Sequence, residues 1–145
     1  MAREVLGSNR CFGGSQQRFA HDSSALGCEM SCSVFLPSAV EKGNVPVLYW
    51  LSGLACTDEN FVQKAGAQQY AEKYGVAIVA PDTSPRGDDV PDDPDGGWDF
   101  GLGAGFYVNA TQAPWSTHYR MYDYIVEELP TLIAAEFPVD GERCG

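Results

Sequence analysis

Apolar residues form two short runs, at positions 47–51 and 76–80, each five residues long. Both runs are bounded by proline or glycine, which is typical of buried β-strands rather than helices. Between them, residues 58–74 carry apolar side chains at helical spacing, and Gly75 is a natural left-handed helix stop. Gly66 weakens the middle of this helix and is expected to divide it. The order strand, helix, strand predicts a right-handed βαβ unit and therefore an α/β fold.

Three further segments carry a pattern. Cys28–Leu36 alternates apolar and polar residues, which predicts a half-buried strand. Residues 9–22 are predicted to form a hairpin around a Gly-Gly turn. Residues 118–136 return to helical spacing, and Pro130 is expected to kink that helix. No internal repeat or linker interrupts the chain, so we predict a single domain over residues 1–145.

The remaining segments show little regularity. Residues 1–8 are weakly patterned, 140–145 are predicted to form a turn, and 82–117 have no regular pattern. An irregular segment as long as the last one usually carries function. Its run 88–95 suggests calcium binding, but a proline falls on an EF-hand ligand position, so we interpret the run as a solvated acidic turn. Gly101-x-Gly103-x-Gly105 lacks the last glycine of a dinucleotide loop and follows no strand, which excludes a nucleotide site.

Charge and cysteine content narrow the class of protein. The net charge is −11, and seven Asp against one Arg lie between positions 82 and 99. An acidic chain without a basic stripe repels phosphate backbones, so we exclude nucleic-acid binding. The five cysteines are an odd number, and the sequence has neither a signal-peptide pattern nor a long apolar span. We therefore expect a cytoplasmic protein that does not enter membranes. Cys28 and Cys32 have no second Cys/His pair, which argues against a metal site.

The turn Ser52-Gly53-Leu54 follows the first apolar run, at the carboxyl end of a predicted strand. Open α/β sheets bind their ligands at this edge. Backbone N–H groups in such a turn can hold an anionic oxygen, and the N–H of Leu54 is the candidate donor. A plain glycine turn explains the same residues. Cys56, near the start of the helix, is either a reactive thiol or an inert buried one.

No nucleophile and base can be paired from the sequence. A hydrolase elbow needs Gly-x-Ser-x-Gly, and around Ser52 those glycine positions hold Trp50 and Leu54. The pattern occurs nowhere else in the chain. His21 and His118 are isolated, and a general base needs a partner within hydrogen-bond reach. We therefore interpret both histidines as surface or satisfied groups.

Six motifs follow one another along the chain: SNRCFGG (8–14), LYWLSGL (48–54), APDTSPRG (80–87), WDFG (98–101), GAGFY (103–107) and YRMY (119–122). Together they resemble the S-formylglutathione hydrolase family, also called esterase D, over nearly the whole chain. The resemblance implies an α/β-hydrolase fold and a serine thioesterase that converts S-formylglutathione and water to glutathione and formate in formaldehyde detoxification. It also implies activity on simple carboxylic esters, a cytosolic and often homodimeric enzyme, and no metal or organic cofactor.

The resemblance also assigns roles to residues. The N–H of Leu54 would be an oxyanion-hole donor. The expected substrate-pocket residues are Gly53, Cys56, Trp98, Phe106 and Tyr107. Cys56 matches a family thiol close to the active site, and residues 98–107 match the loop that walls the acyl pocket. The acidic run 88–95 departs from the family in composition.

The family's Ser, Asp and His triad does not fall on this chain. The serine belongs to a Gly-His-Ser-Met-Gly-Gly elbow that comes after the segment matching 137–145, and its partners come later still. We therefore expect an incomplete, N-terminal half of an α/β-hydrolase domain that is inactive alone. The strand at 47–51 would then have an unpaired apolar edge. Two alternatives remain open, a non-catalytic protein that binds glutathione conjugates or a partner strand, and a truncated remnant.

Overall fold

A six-stranded sheet organises the computed structural model, which describes residues 3–145. Its strands are β1 (Arg3–Cys11), β2 (Gly14–Ser23), β3 (Cys28–Leu36), β4 (Val45–Tyr49), β5 (Ala77–Pro81) and β6 (Val139–Cys144), arranged in the order β1-β2-β3-β5-β4-β6. β1, β2, β3 and β5 pair with antiparallel neighbours, whereas β5, β4 and β6 run parallel. The sheet thus joins an antiparallel meander to a parallel α/β unit, and the predicted α/β class is confirmed.

The helices follow the predicted spacing closely. They are α1 (Glu59–Lys64), α2 (Gln68–Tyr74), α3 (Met121–Asp123) and α4 (Leu129–Glu136), with a π-helical turn at Tyr124–Glu128 and 3₁₀ turns at Ser38–Lys42 and Trp115–Thr117. Gly66, with φ of +65°, separates α1 from α2 as predicted, and Gly75 ends α2 in the left-handed conformation with φ of +66°. Pro130 lies inside a continuous helical run from Met121 to Glu136, directly after the π-helical turn, an irregularity consistent with a residue that has no N–H to donate.

The two faces of the sheet are covered by different helices. One face packs on α3, the π-helical turn and α4, and it holds most of the buried core. The members of that core include Phe19, Met30, Cys32, Val34, Val47, Val79, Tyr124, Leu129 and Ile133. The other face packs on α1 and α2 through a smaller cluster of Phe35, Ala71 and Ile78, with Phe61 and Ala67 against it. The alternation in β3 is confirmed, since its even-numbered residues face the larger cluster and Phe35 faces the smaller one. The prediction that β3 is half-buried was wrong for residues 32–36, which are all buried because helices cover both faces of the sheet there.

Several predictions about the sheet were wrong. Residues 140–145 do not form an isolated turn, because the backbone of β6 pairs with β4 (Val45 opposite Val139, Pro46 opposite Asp140). β4 therefore has neighbours on both sides, β5 and β6, rather than an unpaired edge. It also ends at Tyr49 instead of Leu51, and Leu48 is 41% exposed, so the strand is not buried on both faces.

The weakly patterned start of the chain is also more regular than predicted. From Arg3 onward it is the first half of β1, whose side chains are mostly exposed and so show no alternation. The predicted hairpin is confirmed as β1 and β2, although it begins earlier than residue 9. Met1 and Ala2 lie outside the described residues. Within residues 3–145, no helix has the length and apolar character needed to cross a membrane.

Candidate active site

The backbone turn after β4 is shaped by its own bonds and by a distant loop. The N–H of Trp50 donates to the carbonyl of Val79 (2.8 Å), which keeps the chain on the sheet for one residue beyond β4. The N–H of Ala55 then donates to the carbonyl of Gly103 (2.8 Å), and Ala55 adopts the left-handed conformation with φ of +61°. Among residues 3–145, no acceptor takes the N–H of Leu54. The turn therefore leaves this backbone donor without a protein partner in the described part of the chain.

The segment 103–107 forms a wall directly against this turn. A Cβ added to Gly105, whose φ is +73°, would lie 3.1 Å from the carbonyl carbon of Gly53 and 3.2 Å from the nitrogen of Leu54. The hydroxyl of Tyr107 donates to the carbonyl of Ser52 (2.5 Å). Burial raises the pKa of Tyr107 to about 12, so the phenol keeps the proton it donates at neutral pH. The turn and the wall therefore form one packed unit.

The loop after β5 holds the far end of the turn. The carbonyl of Cys56 accepts hydrogen bonds from the Thr83 hydroxyl (2.6 Å) and from Nη2 of Arg86 (3.2 Å). Arg86 is itself fixed by two bonds to the carboxylate of Asp82, at 2.8 and 3.1 Å. Because this ion pair is planar and bidentate, it fixes the direction of the guanidinium as well as its position. Cys56 is thus held through its backbone, and its thiol is partly exposed.

Asp58 anchors the start of α1 to the sheet. Its fully buried carboxylate accepts two bonds from Arg18 of β2 (2.8 and 3.0 Å) and one from the hydroxyl of Ser33 in β3 (2.8 Å). The Asp58 hydrogen bond is the main cause of a raised pKa at Arg18. Asp58 makes no side-chain capping bond, whereas the hydroxyl of Thr57 accepts the N–H of Glu59 at 3.2 Å. The turn between β4 and α1 is therefore fixed at both ends.

Two cavities flank the turn. One, of about 280 Å³, lies behind Gly105 and has a largely apolar lining that includes Phe100, Phe106, Trp115 and Tyr119. The other is an open groove of about 340 Å³ over α1, and its lining includes Trp50, Ser52, Gly53, Cys56, Phe61 and Lys64. Gly105 separates the two, because it lines the first cavity and contacts Gly53, which lines the second.

The predicted site residues do not lie in one place, and most of them belong to the turn, the groove over α1 or the cavity behind Gly105. Leu54 and Gly53 form the turn itself, and Gly53 and Cys56 line the groove over α1. Phe106 lines the cavity on the other side of Gly105, and Tyr107 contacts the turn through its hydroxyl. Trp98 is 71% exposed and lines neither cavity. The sequence did not identify Asp58, Thr83 and Arg86 as residues that hold the turn. Their polar side chains were the one sequence feature that pointed to such a role.

The histidines are satisfied groups, as predicted. Nε2 of buried His21 lies 3.0 Å from the hydroxyl of Tyr124, and burial lowers the pKa of this histidine. Nδ1 of His118 lies 2.7 Å from the carbonyl of Leu26. Within the described part of the chain, neither ring hydrogen-bonds a serine or cysteine side chain. The described residues therefore bring no histidine together with a serine or cysteine side chain near the turn.

The acidic run is an ordered turn. The carboxylate of Asp92 accepts the N–H of Leu102 (3.0 Å), and that of Asp93 accepts the N–H of Gly97 (2.8 Å). No group of three or more metal-ligating side chains occurs among residues 3–145. Two carboxylates of this run, those of Asp92 and Asp93, thus bind the loop's own backbone.

Comparison with known proteins connects this geometry to a family. The family model Esterase, described as "Putative esterase", matches residues 23–144. S-formylglutathione hydrolases of Mus musculus and Rattus norvegicus are 56% and 53% identical over 143 residues, covering 99% of this chain and 50% of each relative. The chain thus spans about half the length of the curated relatives it matches.

Solved structures give the same picture. An S-formylglutathione hydrolase from Agrobacterium tumefaciens superposes with a TM-score of 0.95 at 45% identity, covering 97% of this chain and 50% of the other. A ferulic acid esterase with a TM-score of 0.66 and 16% identity, covering 92% of this chain and 47% of its own, shares the fold alone. The predicted α/β-hydrolase fold is confirmed as its N-terminal half.

Proposed function

Because the chain belongs to the esterase family whose model spans residues 23–144, we propose that it supplies the oxyanion-binding half of a serine thioesterase. The substrate we infer is S-formylglutathione, hydrolysed to glutathione and formate, with simple carboxylic esters as secondary substrates. The observation that carries this proposal is the free N–H of Leu54 on a turn held from several sides. The 56% identity to the mouse S-formylglutathione hydrolase supports the choice of substrate.

The turn would act in one step of the proposed reaction, the attack of a serine on the thioester carbonyl. When a serine attacks the thioester carbonyl, the carbonyl oxygen gains negative charge and needs donors about 2.7–3.1 Å away. The N–H of Leu54 would be one such donor. Because Gly105, Tyr107 and Thr83 already fix the turn, little reorganisation would be needed as the charge develops. Acyl transfer through a serine requires no metal or organic cofactor.

We infer that the attacking serine and its base come from outside residues 1–145, since these residues contain no Gly-x-Ser-x-Gly elbow. The chain is then a single, catalytically incomplete domain unit. We expect it to be inactive alone and to contribute to a cytoplasmic, homodimeric enzyme once completed. Oxyanion donors without a nucleophile leave at most a weak residual acceleration.

The first test compares the chain alone with a completed version. The 145-residue chain is assayed for S-formylglutathione hydrolysis before and after fusion to the half of the mouse relative that it does not match. We expect turnover only in the fusion. Full turnover by the unfused chain would contradict the inference that the attacking serine lies outside residues 1–145. A fusion that folds but does not hydrolyse the thioester would contradict the proposed function.

The second arm of the test removes the proposed donor. Leu54→Pro eliminates the backbone N–H, whereas Leu54→Ala shortens the side chain and keeps it. In the fusion we expect Leu54→Pro to lower kcat about 10²- to 10³-fold with little change in KM. Circular dichroism checks that both variants fold. Equal kcat values for two folded variants would rule out Leu54 as the donor.

A further inference from the structure

The charge environments of the two cavities differ sharply. The cavity behind Gly105 borders the acidic segment, since the carboxylate of Asp92 lies against Gly101, which lines that cavity. The groove over α1 has one charged side chain in its lining, the ammonium group of Lys64. Lys64 makes no salt bridge among residues 3–145. Of these two cavities only the groove has a charged residue in its lining, and its positive charge favours an anion there.

Acidic groups near the groove have partners of their own. Asp58 is buried against Arg18 and Ser33. Glu59 faces Nη2 of Arg18 at 3.7 Å and accepts a hydrogen bond from Gln63 at 3.2 Å. Arg18 thus pairs with Asp58 and faces Glu59, whereas Lys64 lines the groove without an acidic partner among residues 3–145.

The rest of the groove suits a peptide-like thiol. Trp50 and Phe61 both line the groove and stack on each other at a centroid distance of 4.0 Å and an angle of 11°, which gives the groove an aromatic, apolar wall. Gly53 lies in the lining and in the turn that carries the free N–H of Leu54. If the thiol portion of a thioester lies along this wall, its sulfur therefore comes next to the N–H of Leu54.

We propose that the groove over α1 binds the carboxylate-bearing thiol portion of the thioester, and that Lys64 is the specificity-determining residue that selects it. The inference rests on the proposed function, because it takes the substrate to be a glutathione thioester. Glutathione carries two carboxylates and one ammonium at neutral pH, so its thioesters are anions that this acidic chain otherwise repels. Uncharged esters need no such contact.

Calorimetric titration of the 145-residue chain tests this inference. The probes are S-methylglutathione and its dimethyl ester, in which both carboxylates are masked. We expect Lys64→Gln to weaken binding of the carboxylate form about two- to fivefold, the size of one exposed charge interaction. The difference between the parent chain and Lys64→Gln should shrink as salt rises from low to molar concentration. Lys73→Gln is the matched control, since Lys73 is exposed on α2 and lines neither cavity.

Each outcome decides the inference. Weaker binding of the carboxylate form alone, in Lys64→Gln and not in Lys73→Gln, supports it. Equal weakening of both probes, equal effects of both variants, or no binding of either probe overturns it. Binding needs no attacking serine, so this result is independent of the hydrolysis assay. A fusion that hydrolyses S-formylglutathione with an unchanged KM in Lys64→Gln would remove the role of Lys64 and leave the proposed function standing.

Discussion

Two segments meet at the turn, and they are held by different means. The strand–turn–helix segment 45–64 is fixed mainly by strand pairing and by packing under the sheet. The segment 82–107 has no helix or strand and is fixed by side chains that bond backbone groups. The hydroxyl of Ser84 accepts the N–H of Gly103 (2.7 Å), for example, and Tyr119 donates to the carbonyl of Pro91 (2.7 Å). The proposed oxyanion donor thus depends on regular structure on one side and on individual polar contacts on the other.

The largest expected effect tests the buried ionic anchor of the regular segment. Asp58→Ala removes a buried carboxylate and leaves Arg18 and Ser33 without their acceptor. We expect the free energy of unfolding to fall by about 3 kcal/mol, the low end for a broken buried pair, because Arg18 is partly exposed. Urea unfolding measures the loss. Arg143→Gln, which breaks an exposed pair with Asp140, is the control and should leave the midpoint unchanged.

A loss below about 1 kcal/mol in Asp58→Ala would mean that packing alone fixes the start of α1. Polar contacts would then stabilise only the segment 82–107, and the two segments would differ more in how they are held than we infer.

The next effect concerns the contact between the segments. Gly105 and Gly96 have nearly equal φ angles, +73° and +71°, but only Gly105 meets other atoms where a Cβ would be added. Both alanine variants should lose about 1 kcal/mol through backbone strain. Gly105→Ala should lose about 1 kcal/mol more, because the methyl group displaces Gly53 and Leu54. Thermal unfolding of the two variants measures the difference.

The activity of the fused enzyme provides a second comparison of Gly105→Ala with Gly96→Ala. A displaced oxyanion donor should lower kcat about tenfold or more in Gly105→Ala, since small misplacements have large kinetic effects. Gly96→Ala should keep the parent kcat. Matching losses of stability and activity in both variants would show that the close approach of Gly105 to the turn is of no importance.

The same contrast explains what the sequence could predict about the fold. The bounds of β3 and the division of the helix at Gly66 follow from local periodicity and from glycine chemistry, so both were predicted correctly. β6 could not be found in this way, because its middle reads Asp-Gly-Glu-Arg. Asp140 accepts the N–H of Glu142 and pairs with Arg143, which is the chemistry of a turn. Pairing with β4 makes it a strand.

For the candidate site, the turn was predictable and its supports were not. Ser52-Gly53-Leu54 is recognisable because a glycine turn follows an apolar strand. The groups that hold the turn lie far away in sequence, as with Tyr107, which is 55 residues from its acceptor Ser52. No periodicity links such pairs, and only the fold brings them together. Trp98, which the motif alone assigned to the pocket, is 71% exposed, and its place in a pocket stays a prediction.

The smallest expected effect isolates one of these distant supports. Thr83→Val replaces a fully buried hydroxyl, which donates to the carbonyl of Cys56, with a methyl group of similar size. We expect a loss of about 1 kcal/mol in urea unfolding, the net value of one hydrogen bond, because Arg86 still donates to that carbonyl. Thr131→Val is the matched control. The hydroxyl of Thr131 also donates to a carbonyl, that of Glu127 at 2.7 Å, but on the exposed side of α4.

Water can replace the lost donor at Thr131, so its valine variant should stay within about 0.5 kcal/mol of the parent. At Thr83 the carbonyl of Cys56 would keep only the 3.2 Å bond from Arg86. The difference between the two variants therefore measures how far the irregular segment stabilises the turn through this contact. If both variants lose the same amount, the Thr83 hydroxyl contributes no more than an exposed one, and the turn is held by Gly105, Tyr107 and Arg86 instead.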